Sequence, residues 1–477
     1  RGADDAGRIV CPPIGVYLVQ KQTLALTRVF SSVGGISTSC GWEQIEPDEQ
    51  NDWLNQRDTS FEAFIKIGDK RDRSEPILFE NYSSGVKTQR DVWCYNSSRS
   101  ALTENISSTV EFFNSELDRV SGQSGDLDKI LNSDPRQISW TRALQADVRK
   151  NKWLSIDDGK VVKSMYRPFF QTWLYFSRRL NEMVYQIPRL FPLERAEAQN
   201  IGFCVPGQGG DKGFSAFMVG LIPDLNLAPG MGGYQCFPLY LYDQQDEESG
   251  GLFEGQSSGL RRRDAITDAG LAHFQAAYPG EEITKEDIFY YVYGLLHSPD
   301  YRDRYADNLT KELPRIPAVK TYTDFRAFTD AGRRLGDLHV NYETVEPYPV
   351  TYKQGTPALW NVGDPKAFYR VTKMKFGGKA REKDRSTVIY NDHITMQNIP
   401  LEAYKYVVNG KPALEWVMER QVVKTDKASG IVNDANDYAN ETMGDPAYPL
   451  DLFRRVITVS LETMKIVRSL PKLDLPS

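Results

Sequence analysis

Thr284-Lys-Glu-Asp-Ile-Phe-Tyr-Tyr-Val-Tyr-Gly-Leu-Leu-His-Ser-Pro-Asp-Tyr-Arg302 is the best-specified stretch of the chain. Thr284 followed by Asp287 has the layout of a capping box, with Asp where Glu or Gln is usual. Ile288, Tyr291, Val292, Leu295 and Leu296 then form an apolar stripe at helical spacing. Ser298-Pro299 restarts a second helix, Ser as N-cap and Pro at the first helical position. Tyr301, Tyr305 and Leu309 share its face, and Pro314 and Pro317 end it. Residues 284–317 are thus predicted to form an αα-hairpin. His297 closes the first helix, where a cation suits the dipole, so its expected role is structural.

Around this hairpin the pattern mixes both periods, which predicts a mixed α/β (α+β) chain. Residues 201–205 and 237–242 read as strands, and 245–263 as a polar loop. Upstream, 98–114 places Leu102, Ile106, Val110 and Phe113 on one helix face. Residues 172–185 repeat the spacing with Trp173, Phe176, Leu180 and Val184, until Pro188 and Pro192 stop it. Residues 1–95 read as short strands, including 14–19 and 23–30. The last predicted helix is 449–468.

The 477 residues correspond to about three domains at roughly 150 residues each. Hydrophobic residues are 40% and charged residues 26%, which excludes wholesale disorder. A net charge of −6 excludes a uniformly basic coat protein but not a local basic surface, because partners respond to the local field. Five scattered cysteines and four histidines, with no CxxC pair, argue against a disulfide framework or zinc site and for a reducing cytoplasm. No apolar run of about 18 residues is present to span a membrane. The start, Arg1-Gly-Ala-Asp-Asp, has no signal layout and soon enters a strand-like segment, as expected if the front of a larger protein is missing.

A catalytic set is harder to find. An amino-methyltransferase needs Asn, Asp or Ser, then Pro-Pro, then an aromatic, to accept the target amine and stack on its base. The one Pro-Pro is Cys11-Pro12-Pro13-Ile14, a poor acceptor followed by no ring. The loop Pro206-Gly-Gln-Gly-Gly-Asp-Lys-Gly213 invites a phosphate-cradle reading but matches neither the Walker nor the dinucleotide spacing. A flexible turn is the plainer reading, with Lys212 able to meet a nucleic-acid phosphate. What remains is binding. Arg370, Lys373, Lys375, Lys379, Arg381, Lys383 and Arg385 fall within sixteen positions against only Glu382 and Asp384, interleaved with Phe368, Tyr369, Phe376 and Tyr390. Such a segment suits a strand pair against a phosphate backbone, with Arg or Lys reaching guanine edges, or else a solvated basic face. Arg261-Arg262-Arg263 is a second, weaker patch.

Several ordered blocks carry a resemblance. They are Asp52-Trp-Leu-Asn-Gln-Arg-Asp58, Tyr82-Ser-Ser-Gly-Val-Lys-Thr-Gln-Arg-Asp-Val-Trp93, Tyr166-Arg-Pro-Phe169 and Val205-Pro-Gly-Gln-Gly-Gly-Asp-Lys-Gly-Phe-Ser215. Leu313-Pro-Arg-Ile-Pro317, Ser429-Gly-Ile-Val-Asn-Asp434 and Val456-Ile-Thr-Val-Ser460 follow. From about residue 50 to 470 the chain resembles the C-terminal part of type ISP restriction-modification enzymes, which join nuclease, helicase-like ATPase, adenine-N6 methyltransferase and DNA target recognition parts. The resemblance implies a methyltransferase remainder over 1–110, a helical connector over 111–195 and a target recognition domain over 196–477. It implies double-stranded DNA as partner, phage defence as setting, and S-adenosylmethionine, ATP and Mg as cofactors of the parent rather than of this chain. Lys87, Arg90, Arg167, Lys212 and Arg315 become candidates for DNA-backbone or structural contact. Lys373, Lys375, Lys379, Arg381, Lys383 and Arg385 become candidates for the variable reading surface. The rivals are methyl transfer through Cys11-Pro12-Pro13 and a protein scaffold docking through the tyrosine-rich hairpin at 288–309.

Overall fold

The computed structural model describes residues 2–3, 9–11, 43–72, 74–123, 125–193, 199–210, 212–227, 233–244, 260–379 and 381–476. Pro12, Pro13 and the strand candidates at 14–19 and 23–30 lie outside these, as does 245–259 of the expected loop.

Helix α1 (Arg99–Val120) is longer than its apolar spacing marked, and Ser98 caps it by accepting from the Ala101 amide. Leu102, Ile106, Val110, Phe113 and Leu117 are buried against Leu144, Val148, Leu154 and Leu180, a small core of its own. Strand β1 (Val161–Arg167) turns back into β2 (Phe170–Tyr175). This corrects the helix expected over 172–185. Phe170-Gln-Thr-Trp-Leu-Tyr175 buries Phe170, Thr172 and Leu174 at period two, and its aromatic and β-branched content favours the ladder with β1. The helical spacing of Trp173, Phe176, Leu180 and Val184 is the coincidence of a strand running into a bend.

Strands β3 (Gly202–Pro206), β4 (Phe217–Val219) and β5 (Tyr234–Pro238) form an antiparallel sheet in the order β4-β3-β5, with Ser83–Ser84 at its far edge. Strands β6 (Tyr240–Gln244) and β7 (Leu260–Asp264) pair as a hairpin, so the end of the expected 245–263 loop is a strand. Helix α2 (Lys285–Leu295) has the full capping box between Thr284 and Asp287. The second helix of the expected hairpin breaks at Tyr305 into Pro299–Arg304 and Ala306–Lys311. Tyr291, Tyr293, Tyr301 and Tyr305 are fully buried and Tyr290 is half-buried, so these tyrosines pack inward rather than forming the docking face that the scaffold reading needs.

Helix α3 (Tyr322–Val340) lies against α2 almost backbone to backbone. A Cβ on Gly294 would meet the Phe328 carbonyl oxygen at 2.1 Å, and one on Gly332 would meet that of Tyr290 at 1.9 Å, so only glycine allows the crossing. Strands β8 (Lys375–Lys379), β9 (Glu382–Ile389) and β10 (Thr395–Gln397) form a meander, with Thr351–Tyr352 at its edge. Helices α4 (Ala413–Arg420) and α5 (Tyr448–Arg468) close the chain. One apolar core runs from Phe61 to Ile466 through the three four-stranded sheets, placing the meander's inner end, Val388 and Met396, in the same interior as α5.

Candidate nucleic-acid interface

The basic segment folds as the β8–β9 ribbon, anchored inside and free outside. At its foot Phe376 pairs with the fully buried Val388, and Val388 pairs in turn with Met396 of β10. A bulge between Phe376 and Gly377 shifts the register, so that Gly377 faces Asp384 and Lys379 faces Glu382. Gly378 adopts φ +78°, and a Cβ there would meet the Glu382 carbonyl oxygen at 2.4 Å, which makes glycine obligatory. A sheet strand alternates buried and open positions, yet Glu382, Lys383, Asp384 and Arg385 are all exposed. These four β9 residues are therefore open to solvent over about 13 Å, at about 3.3 Å per residue, although Gly377 opposite Asp384 is buried.

Lys373, Lys375, Lys379, Arg381, Lys383 and Arg385 are all exposed on or beside this ribbon. Among the described residues, no carboxylate lies at ion-pair distance from Lys373, Lys375, Lys379, Arg381 or Lys383. Arg385 differs, since its Nη2 lies 2.9 Å from Glu415 Oε1 on α4. Arg370 also differs, paired with Asp434. Lys373 makes a backbone bridge with Val422, which ties the ribbon's start to the segment that follows α4.

The other sequence candidates sit elsewhere. Arg167 is buried, donates from Nη1 to Asp224 Oδ1 at 2.7 Å, and stacks 3.8 Å from the Tyr166 ring centroid. Burial pushes Asp224 up to about 6 although that guanidinium lies beside it. Arg90 is buried too, and its Nη1 donates to the Ser139 carbonyl at 3.0 Å. Arg315 ties Glu312 Oε2 at 3.1 Å to the Glu62 carbonyl at 2.9 Å. Lys87 is half-buried and exchanges both backbone hydrogen bonds with Met183. Lys212 is exposed, with its backbone against Gly410. Arg90, Arg167 and Arg315 are thus held by groups of the chain itself, unlike the ribbon's cations. Sequence spacing could not separate them, because an arginine that holds a fold together and one that waits for a partner look alike until their carboxylates are placed.

Two amides of the glycine-rich loop are already engaged within the chain. Its Gly207 amide donates to the Gly233 carbonyl and its Gly209 amide to that of Thr310, so neither is available to an anion. Among the described residues, no group of three His, Cys, Asp or Glu side chains could hold a metal ion, and no helix is long and apolar enough to cross a membrane.

A mixed α/β body with a free-standing cationic ribbon is the architecture of a recognition module. The chain belongs to the family of the Type ISP C-terminal specificity domain, whose model matches residues 77–452. Three solved structures are similar to it. One is a nuclease-deletion mutant of the Type ISP restriction-modification enzyme LlaGI in complex with a DNA substrate mimic, at 32% identity and a TM-score of 0.78, covering 97% of this chain and 39% of that one. The ATP-dependent Type ISP enzyme LlaBIII bound to DNA is 34% identical with a TM-score of 0.81, covering 98% and 28%. The DrdV–DNA complex is 30% identical with a TM-score of 0.73, covering 91% and 41%. The chain thus spans well under half the length of each. No curated protein matches it significantly.

Proposed function

We propose that this chain recognises a specific double-stranded DNA sequence as the specificity part of a type ISP restriction-modification enzyme, and presents an adenine to an N6-methyltransferase located upstream in the same polypeptide. The observation that carries this reading is the ribbon: five exposed cations without ion-pair partners among the described residues, on an element anchored in the core, within an acidic chain. That three similar structures hold DNA or a DNA mimic supports it. The nuclease, helicase-like and methyltransferase parts are its partners within the parent, and the cytoplasm its setting. ATP, S-adenosylmethionine and Mg serve those other parts, and no residue of this chain is assigned to them.

A two-stranded ribbon suits a major groove about 12 Å wide better than a minor groove of about 6 Å. General affinity then comes from phosphates, and preference from base edges, at about 1–3 kcal/mol per mismatched pair. Selection from random duplexes with the 477-residue chain should yield one preferred short sequence. Its affinity should fall linearly with log salt, at a slope near −0.9 per phosphate neutralised. Failure to bind duplex at low salt, or binding with no preference, refutes the reading. Saturable binding of the methyl donor by this chain would favour the methyltransferase alternative instead.

A further inference from the structure

A ribbon whose outer end is open to solvent must still keep one angle to the duplex, and Arg385 lies where that angle is set. It is the one cation of 373–385 with an ion partner among the described residues, Glu415 of α4, at 2.9 Å. Its guanidinium sits 5.8 Å from the Phe376 ring centroid on β8 and 5.6 Å from that of Tyr404. The Tyr404 hydroxyl donates to the Arg385 carbonyl at 2.9 Å. Glu415 Oε1 is buried and, because the guanidinium N–H does not point along the contact, has no straight hydrogen bond. The charge of Arg385 is therefore what offsets its burial. One side chain thus joins both strands of the ribbon to the body, just above the buried Phe376–Val388 pair.

We propose that Arg385 is a positioning residue rather than a DNA contact. Its clamp on Glu415, Phe376 and Tyr404 sets the pitch of the ribbon, and bases are read by the side chains beyond it, Lys379, Arg381 and Glu382, together with Lys383, whose Nζ lies 5.7 Å from the same Phe376 ring centroid at the boundary of the clamp. This rests on the DNA-reading function proposed above. Asp384 is not among the readers, because it folds back to accept from the Ser386 amide at 2.9 Å and hydroxyl at 2.6 Å. Lys and Arg donate to guanine O6 and N7, and a glutamate accepts from cytosine N4, so this tip fits a G·C pair. Recognition groups must be held within about 0.5 Å of the productive geometry. A 10° change of pitch at the clamp moves a tip about 13 Å away by about 2 Å, enough to lose such hydrogen bonds.

The test uses the 477-residue chain with Arg385→Ala, Glu415→Ala and the double variant, each checked to be folded, with cooperative melting, at the assay temperature. Affinity is read on the preferred and a scrambled duplex across a salt series. The clamp predicts that each single variant weakens preferred binding about 10-fold, leaves scrambled binding and the salt slope unchanged, and that the double variant is no worse than either single one. Arg385→Lys, which keeps the charge but not the planar stacking, should also lose preference. The clamp is overturned if Glu415→Ala keeps the preference. It is equally overturned if Arg385→Ala weakens both duplexes and flattens the salt slope by about one phosphate, the signature of a direct contact. If the unaltered chain shows no preference at all, the DNA-reading function itself fails. If it shows one that Glu415→Ala does not alter, only the clamp does.

Discussion

Arg167 and Lys379 carry the same charge in opposite surroundings. Arg167 is closed in by Asp224, by Asp91 Oδ2 at 3.9 Å and by the Tyr166 ring, whereas Lys379 projects from a ribbon edge. Removing Arg167 leaves Asp224 as a buried carboxylate without its nearest cation, a loss of about 3–5 kcal/mol. Arg167→Met, which keeps most of the stem, should show this in urea unfolding at pH 8 and show less at pH 5. The sign follows from Asp224, whose folded value of about 6 exceeds the unfolded value of about 4. The stability linked to that group is present below about pH 4 and is drawn down as pH rises through about 6. Without Arg167 the fall should steepen. An equal loss at both pH values would show that Asp224 is not what Arg167 compensates.

Helix α2 was legible because its signals are local: a cap, an apolar stripe and a stop, all within a few turns. Its Asp287 also reaches outside the helix, to Arg326 at 2.9 Å and Arg333 at 3.1 Å on α3. Burial works against that carboxylate, but the Thr284 hydroxyl and amide and the two guanidinium groups outweigh it and hold it at about 2. Its contribution is therefore present above about pH 4 and lost as pH falls toward 2. Asp287→Asn should lower stability at pH 7 and flatten the acid limb of an unfolding profile over that window; an unchanged limb would assign the acid sensitivity elsewhere. Strand β2 was not legible, because the spacing of Trp173, Phe176, Leu180 and Val184 fits a helix as well as a strand and bend, and only the distant ladder with β1 decides. The ribbon lay between these cases. Its cations were plain in the sequence, but the bulge, the φ of Gly378 and the Arg385–Glu415 contact come from chain segments meeting in space.

At the scale of the molecule, a net charge of −6 and a cationic ribbon are compatible because Lys373, Lys375, Lys379, Arg381 and Lys383 are concentrated where, among the described residues, no carboxylate pairs with them. The acidic remainder discourages indiscriminate binding to nucleic acid, and the anchored ribbon gives the field a direction. The ribbon's foot belongs to the same core as α5, so its orientation is a property of the whole body rather than of a loose loop. The most direct measurement is the ratio of affinities for the preferred and scrambled duplexes, taken for the unaltered chain and for Lys379→Gln/Arg381→Gln/Lys383→Gln at one salt concentration. A ratio of roughly 100 or more in the unaltered chain that falls close to one in the triple variant, with the melting temperature unchanged, is the predicted result. A ratio that survives the triple substitution would contradict it.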